Sequence, residues 1–165
     1  MTIRVGQGFD FHPLLEGRRL VLGGVEIPFE RGLGGHSDAD VAAHALANAI
    51  LGALGEGDLG RHFPDSDPRY QGADSLMLLA EVWKLASDRG FRLGNADVTI
   101  FAQRPKLAPY LDQMRLKLAG ALSTDSKLLN LKAASPEGLG ALGRGEGMAA
   151  AAIVVLEPGD LASTR

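Results

Sequence analysis

Apolar and polar positions change period several times along this chain, and each change marks an element. Residues 3–12 alternate, which is the period-two pattern of a strand with one buried face. Residues 19–28 read as two short strands around a Gly23–Gly24 turn. An alanine-rich stretch after three glycines predicts a helix from about Asp38 to Leu54, with Ser37 as N-cap and Asp40 at the capping-box position. Residues 75–89 predict a second helix, capped by Ser75 and ended by Gly90. Residues 95–102 alternate as a strand. Residues 105–120 predict a third helix, with Pro105 and Pro109 at or before its first turn, and residues 127–133 and 147–156 read as two more strands.

Strands and helices interspersed, with a hairpin near the start, imply an α/β (α+β) fold: one mixed sheet with helices packed on one face. The chain suits a single domain over residues 1–157, with 158–165 as a C-terminal tail. Its composition, 45% hydrophobic and 22% charged, is that of a globular core with a solvated surface. A net charge of −3 argues against a nucleic-acid partner. The longest apolar run, residues 148–156, is too short to span a membrane, and the start shows no signal-peptide layout. The expectation is a cytoplasmic protein with neither nucleic acid nor membrane as partner. The absence of cysteine excludes disulfides, thiolate metal sites and cysteine nucleophiles, so a metal here must be held by His and carboxylates.

Asp10 and His12, two apart on a strand, share a face, and His44 lies on the first predicted helix. One carboxylate and two imidazoles make a three-ligand zinc set with the fourth tetrahedral position left for water or substrate. Ordinary hydrogen-bonded histidines are the alternative. Asp40, His44 and Asn48 recur every four residues on a helix without Lys or Glu, which suggests partners for a ligand histidine or merely a polar face. Asp58, Asp65 and Asp67 lie in a Gly/Pro/Asp-rich loop that suits a turn, a polyol or a hard cation. Residues 132–147 hold Lys132, Ser135, Glu137, Arg144, Glu146 and five glycines between two strands, where glycine backbone can approach an anion closely. Ala149 to Ala152 imply close approach of another surface, either a neighbouring subunit or a packed helix.

With these segments in view, the chain resembles the 2-C-methyl-D-erythritol 2,4-cyclodiphosphate synthase family of the non-mevalonate isoprenoid pathway. The resemblance rests on G-Q-G-F-D-F-H at residues 6–12, G-G-H-S-D-A-D-V-A-A-H at 34–44, G-D-L-G-R-H-F-P-D-S-D-P at 57–68, D-V-T-I-F-A-Q-R-P-K at 97–106, Q-M-R at 113–115 and G-R-G-E-G at 143–147. It implies that Asp10, His12 and His44 hold zinc. It makes His36 and Ser37 phosphate contacts, with His36 stabilising the transition state, and has Asp58, Leu59, Gly60, Phe63, Pro64, Asp65, Ser66 and Asp67 line the substrate pocket. Ala102 to Ala108, with Lys106, match the segment holding the cytosine base and its phosphates. Ala134 and Ser135 match a stretch near the reacting phosphate, with the Ser135 hydroxyl as a catalytic group. Glu137 matches the ligand of a second cation, Mg2+ or Mn2+, and Arg144 an arginine that reaches phosphate. The implied assembly is a homotrimer with active sites at subunit interfaces, and the implied reaction is an intramolecular phosphoryl transfer that releases cytidine monophosphate. The chain departs from the family pattern where K-A-T-T-T-E becomes K-A-A-S-P-E, where Asn48 replaces an expected Asp, and where Ala141 replaces a frequent aromatic. A zinc phosphohydrolase and a non-enzymatic ligand-binding oligomer are the competing readings.

Overall fold

A computed structural model describes residues 2–159. Strand β1 (Arg4–Glu16) pairs antiparallel with β7 (Gly147–Pro158), from Arg4 opposite Leu156 to Pro13 opposite Gly147. The other edge of β7 pairs antiparallel with β5 (Phe91–Phe101), and β5 runs parallel to β6 (Leu129–Ala134). A short β4 (Arg31–Leu33) closes the far side of β1, giving a mixed sheet of order β4-β1-β7-β5-β6. Parallel strands need a crossover, and α4 (Leu111–Ala121) supplies it between β5 and β6. Strands β2 (Leu20–Leu22) and β3 (Val25–Ile27) form a separate hairpin. Its turn is the expected Gly23–Gly24, both at positive φ as a two-residue hairpin turn of this twist requires.

One face of the sheet is covered by helices, as expected. Helix α1 (Val41–Leu54) lies on β1 and β7, and α3 (Ser75–Asp88) packs beside it. The closeness of α1 to β1 is written in two glycines. A Cβ on Gly6 would fall 1.9 Å from the Ala49 carbonyl oxygen, and one on Gly8 would fall 2.1 Å from that of Ala45. Alanines at positions 45, 49 and 53 are the matching small residues on the helix. Within residues 41–51 only His44 and Asn48 are not fully buried, so the polar stripe marks the opening of the fold rather than a broad solvated surface. The opposite face of the sheet carries exposed apolar side chains. Val5, Phe9 and Phe11 on β1 and Ile153 on β7 are more than half exposed there.

Several boundaries differ from the sequence reading. Helix α1 starts at Val41 with Asp40, not Ser37, as N-cap. The reason is Ala39, whose left-handed φ of 57° cannot continue a helix. The N-cap of α3 is Asp74, which frees the Ser75 hydroxyl. The third helix begins as a 3-10 turn at Ala108–Tyr110 before α4. Short helices α2 (Leu59–His62) and α5 (Gly140–Gly143) lie in segments that carry no helical period, and three-residue β4 is too brief to show one. Strand β7 runs to Pro158, one residue past the expected domain end, and residues 160–165 of the expected tail lie outside the described residues. No helix among the described residues is long and apolar enough to cross a membrane.

Candidate metal centre and cleft

Gly6, Gly8, Asp10 and His12 follow one another on the helix-covered face of β1. Where the glycines let α1 settle on the strand, His44 is carried down onto the two polar residues that come next. The Asp10 Oδ2 atom lies 3.0 Å from His12 Nε2 and 3.1 Å from His44 Nδ1, and the two ring nitrogens are 3.4 Å apart. A tetrahedral ion with bonds of about 2.0–2.1 Å sets its ligand atoms about 3.3 Å apart. The triangle therefore has the size of one face of such a coordination shell, and these three residues fit a metal. Among the described residues this is the one grouping of three or more such side chains that converges in this way.

The rings are oriented from behind. His12 Nδ1 donates to the Gly34 carbonyl at 2.8 Å, which leaves the Nε2 lone pair facing the triangle. His44 Nε2 lies 2.8 Å from Ser75 Oγ and 3.2 Å from Ser37 Oγ. Burial works to raise the Asp10 carboxyl, but hydrogen bonds and charge from His12 and His44 hold it below its ordinary value. Burial works to lower the His12 imidazole, but the Asp10 hydrogen bond and charge, with the Gly34 contact, hold it above its own. Each shift is what the other group's charge produces. A divalent ion would take over the role of the proton between them.

Above the triangle opens a cleft of about 650 Å³. Of the residues singled out from sequence, Asp10, His12, His36, Ser37, His44, Asn48, Asp58, Leu59, Gly60, Phe63 and Asp65 line it. Pro64, Ser66 and Asp67 belong to the same loop without lining the cleft. The Asp67 carboxylate is gripped by Arg69, with Nη2 at 2.6 Å, and its carbonyl faces His36 Nε2 at 3.3 Å. Asp58 spends Oδ1 on the Arg61 N–H and so caps α2. Asn48 accepts the Leu59 N–H at 2.9 Å and thereby fixes the start of α2 to α1. Sequence reasoning missed Gln7, Gly8, Phe9, Tyr70 and Leu78 in the cleft lining, and it missed Ser75 and Ser37 as partners of His44 Nε2.

Asp40 is the clearest correction. It was expected beside the imidazole, but it is fully buried and accepts four backbone N–H groups, from Gly23, Gly24, Ala42 and Ala43. Its carboxylate welds the β2–β3 turn to the N-terminus of α1. Burial, with the nearby Asp38 charge, pushes its carboxyl up to about 6.

Ala102, Lys106, Ala134, Ser135, Glu137 and Arg144 do not line this cleft. Two of these segments are brought together elsewhere, at the ends of the parallel pair. Ala102 N–H donates to the Ala134 carbonyl at 3.2 Å, and Gly138 N–H donates to Gln103 Oε1 at 2.9 Å. Ser135 Oγ accepts the Glu137 N–H at 3.0 Å, and Glu137 itself is exposed at a positive φ of 54°. Arg144 is paired with Glu146 at 2.6 Å.

A carboxylate and two imidazoles at the floor of a cleft define a candidate divalent-metal centre on an α/β sheet. The chain belongs to the YgbB family, whose family model matches residues 3–157. It is 60% identical over 154 residues to the protein from Geobacillus kaustophilus named 2-C-methyl-D-erythritol 2,4-cyclodiphosphate synthase, a match covering 93% of this chain and 98% of that one. Among solved structures, the bifunctional IspDF protein of Campylobacter jejuni superposes with a TM-score of 0.91 at 43% identity, over 94% of this chain but 42% of that longer one. IspF of Plasmodium falciparum in its CDP complex superposes with a TM-score of 0.85 at 30% identity, over 96% of this chain and 98% of that one.

Proposed function

We propose that this protein converts 4-diphosphocytidyl-2-C-methyl-D-erythritol 2-phosphate into 2-C-methyl-D-erythritol 2,4-cyclodiphosphate and cytidine monophosphate, in the cytoplasm. The observation that carries the reading is the metal-sized triangle of Asp10, His12 and His44 under an open cleft, in a chain of this family. An oxygen of the 2-phosphate bonds to the β-phosphorus, the bond from that phosphorus to the α–β bridging oxygen breaks, and its electron pair leaves on cytidine monophosphate. Asp10, His12 and His44 would hold zinc, which when bound would supply Lewis-acid charge to the phosphates. The attacking phosphate is already anionic at neutral pH, so no strong base is needed. Catalysis then rests on positioning and on relief of charge repulsion. His36 and Ser37 line the cleft with the triangle and would contact phosphate, and Asp58, in the same lining, would meet sugar hydroxyls. Asn48 supports that placement by anchoring the backbone of Leu59.

Lys106, Ala102, Ala134, Ser135 and Arg144 would form the cytidine and phosphate half of the site, and Glu137 would hold Mg2+ or Mn2+, whose charge would offset that of the diphosphate. That half stands away from the cleft of its own chain, and the sheet face with Val5, Phe9, Phe11 and Ile153 is apolar and exposed. Both features support a homotrimer whose sites lie between subunits, with the poly-Ala start of β7 near the contact. CDP bound to the Plasmodium relative supports a cytidine diphosphate moiety in the substrate.

Incubation with the substrate and magnesium, followed by mass resolution of products, should yield cyclic diphosphate and cytidine monophosphate in equal amounts. An opened phosphate would indicate a hydrolase, and unchanged substrate a binding protein. Light scattering should return a mass near three chains. Mixing His44→Ala with Lys106→Ala protein should restore part of the activity through hybrid sites, which a fully active monomer would disprove.

A further inference from the structure

His44 reaches the triangle through Nδ1, the ring nitrogen nearer its own backbone, so its other nitrogen must be the one that carries a proton when metal is bound. The structure shows what would enforce that choice. Ser75, 1% exposed, places Oγ 2.8 Å from His44 Nε2. The same hydroxyl donates to Asp38 Oδ1, and the Ser75 N–H donates to Asp38 Oδ2 at 3.1 Å. A hydroxyl has one proton. With that proton given to a carboxylate, only lone pairs remain towards His44, and Nε2 must present N–H to meet them. The Nδ1 lone pair is then directed at the point shared with Asp10 Oδ2 and His12 Nε2.

The backbone is shaped to hold this arrangement. Ala39 is fully buried at φ 57°, a conformation that alanine adopts only under constraint. That kink sends the two flanking carboxylates apart: Asp38 turns to Ser75 and Asp40 turns to the α1 N-terminus. Asp38 is fixed further by its own N–H, which donates to the Ala73 carbonyl at 3.1 Å. Ser37 Oγ lies farther from the same Nε2, at 3.2 Å, and also accepts the Ala39 N–H at 3.1 Å.

We propose that Asp38 and Ser75 are positioning residues that set the tautomer and orientation of His44 for metal binding. The inference rests on the metal reading above and adds to it a carboxylate–hydroxyl–imidazole chain drawn from the loop before α1 and the first residue of α3. Neither residue lines the cleft, so neither touches substrate there.

Competition for zinc against a chromophoric chelator tests it, using the full-length protein. Ser75→Ala should weaken zinc affinity by about 10–100-fold, with the melting temperature of the metal-free protein unchanged. Ser75→Thr, which keeps the hydroxyl, should recover most of the loss. In zinc-loaded wild type the His44 Nε2–H should exchange slowly with solvent by nitrogen-15 NMR, and in Ser75→Ala it should exchange fast. Should Ser75→Ala misfold, Asp38→Ala gives the same reading through loss of the acceptor for the Ser75 hydroxyl. Wild-type zinc affinity in both variants overturns the positioning role while leaving the metal site standing. Failure of the unsubstituted protein to bind zinc overturns the metal reading and this inference together.

Discussion

Asp10, His12 and His44 sit at the floor of a cleft with all four ring nitrogens engaged, whereas Ser135 and Glu137 stand exposed just beyond strand β6 and Arg144 stands exposed just before β7. The first group is fixed by side-chain hydrogen bonds to buried partners and by a helix pressed against a strand. The second is tied through backbone contacts, such as Gly138 N–H to Gln103, and its side chains pair only with near neighbours in sequence. A metal triangle must be right to within a few tenths of an ångström, so it is built inside one chain. A surface that closes on a flexible diphosphate can be completed by a second chain and by the ligand itself. Substitutions should therefore divide cleanly. Those in the metal half should cost stability or metal, and those in the other half should cost turnover alone.

The largest effect is expected at Asp40. Asp40→Ala strands four backbone N–H groups, two of them at the buried Gly23–Gly24 turn, and should destabilise the fold by about 4 kcal/mol in a denaturant titration. A cost under about 1 kcal/mol would mean that water replaces the carboxylate without strain. The pH dependence carries a definite sign. The folded carboxyl is pushed up to about 6, above the ordinary 3.8. Its stabilising share is thus complete below about pH 3.8 and is lost as pH rises through 6. The melting temperature of wild type minus that of Asp40→Asn should fall between pH 4 and 6.5. A difference that rises instead would show the N–H bonds outweighing burial.

Gly8 comes next. A methyl there meets the Ala45 carbonyl oxygen at 2.1 Å and the Ala49 nitrogen at 2.6 Å, so strand and helix must part. Gly8→Ala should cost about 3 kcal/mol and lower zinc content as well, because Asp10 lies two residues further along the displaced strand. Gly52→Ala is the control on the same interface. Its nearest neighbour would be Gln7 O at 3.5 Å, an ordinary contact, and removing a helical glycine should add about 0.5–1 kcal/mol of stability. If both variants melt together, the close approach of α1 is not what carries the triangle.

These contrasts also explain what the sequence could disclose. Asp10 and His12 are legible because a strand has period two, and His44 because an otherwise buried, alanine-rich helix has no other use for an imidazole. The mixed sheet and its helix-covered face followed from alternation and from the spacing of strands and helices, whereas the strand order β4-β1-β7-β5-β6 did not. Asp40 was misplaced because its N-cap role depends on one residue, Ala39, adopting a left-handed turn that no composition signals. Ser75 was read as a helix cap for the same reason: a Ser before an apolar run has two uses, and only the position of Asp74 and His44 in space decides between them. Helices α2 and α5, four residues each, are shorter than the period they would have to display.

The smallest structural effect is expected in the far half, at Glu137. Its carboxylate is exposed and pairs with no side chain among the described residues, so Glu137→Gln should change stability by no more than about 0.5 kcal/mol. Zinc content should also stay at the wild-type value, since the triangle does not involve it. Turnover should nevertheless fall by at least about tenfold at saturating substrate, because a carboxylate is a far better ligand than an amide for a hard cation that keeps most of its waters. Raising magnesium should recover part of that loss, as expected of a weakened cation site, whereas a lost hydrogen bond to substrate would be indifferent to magnesium. Turnover at the wild-type level, with stability and zinc unchanged, would remove Glu137 from the site. Turnover lost together with zinc would show that the two halves are coupled within one chain, against the division drawn here.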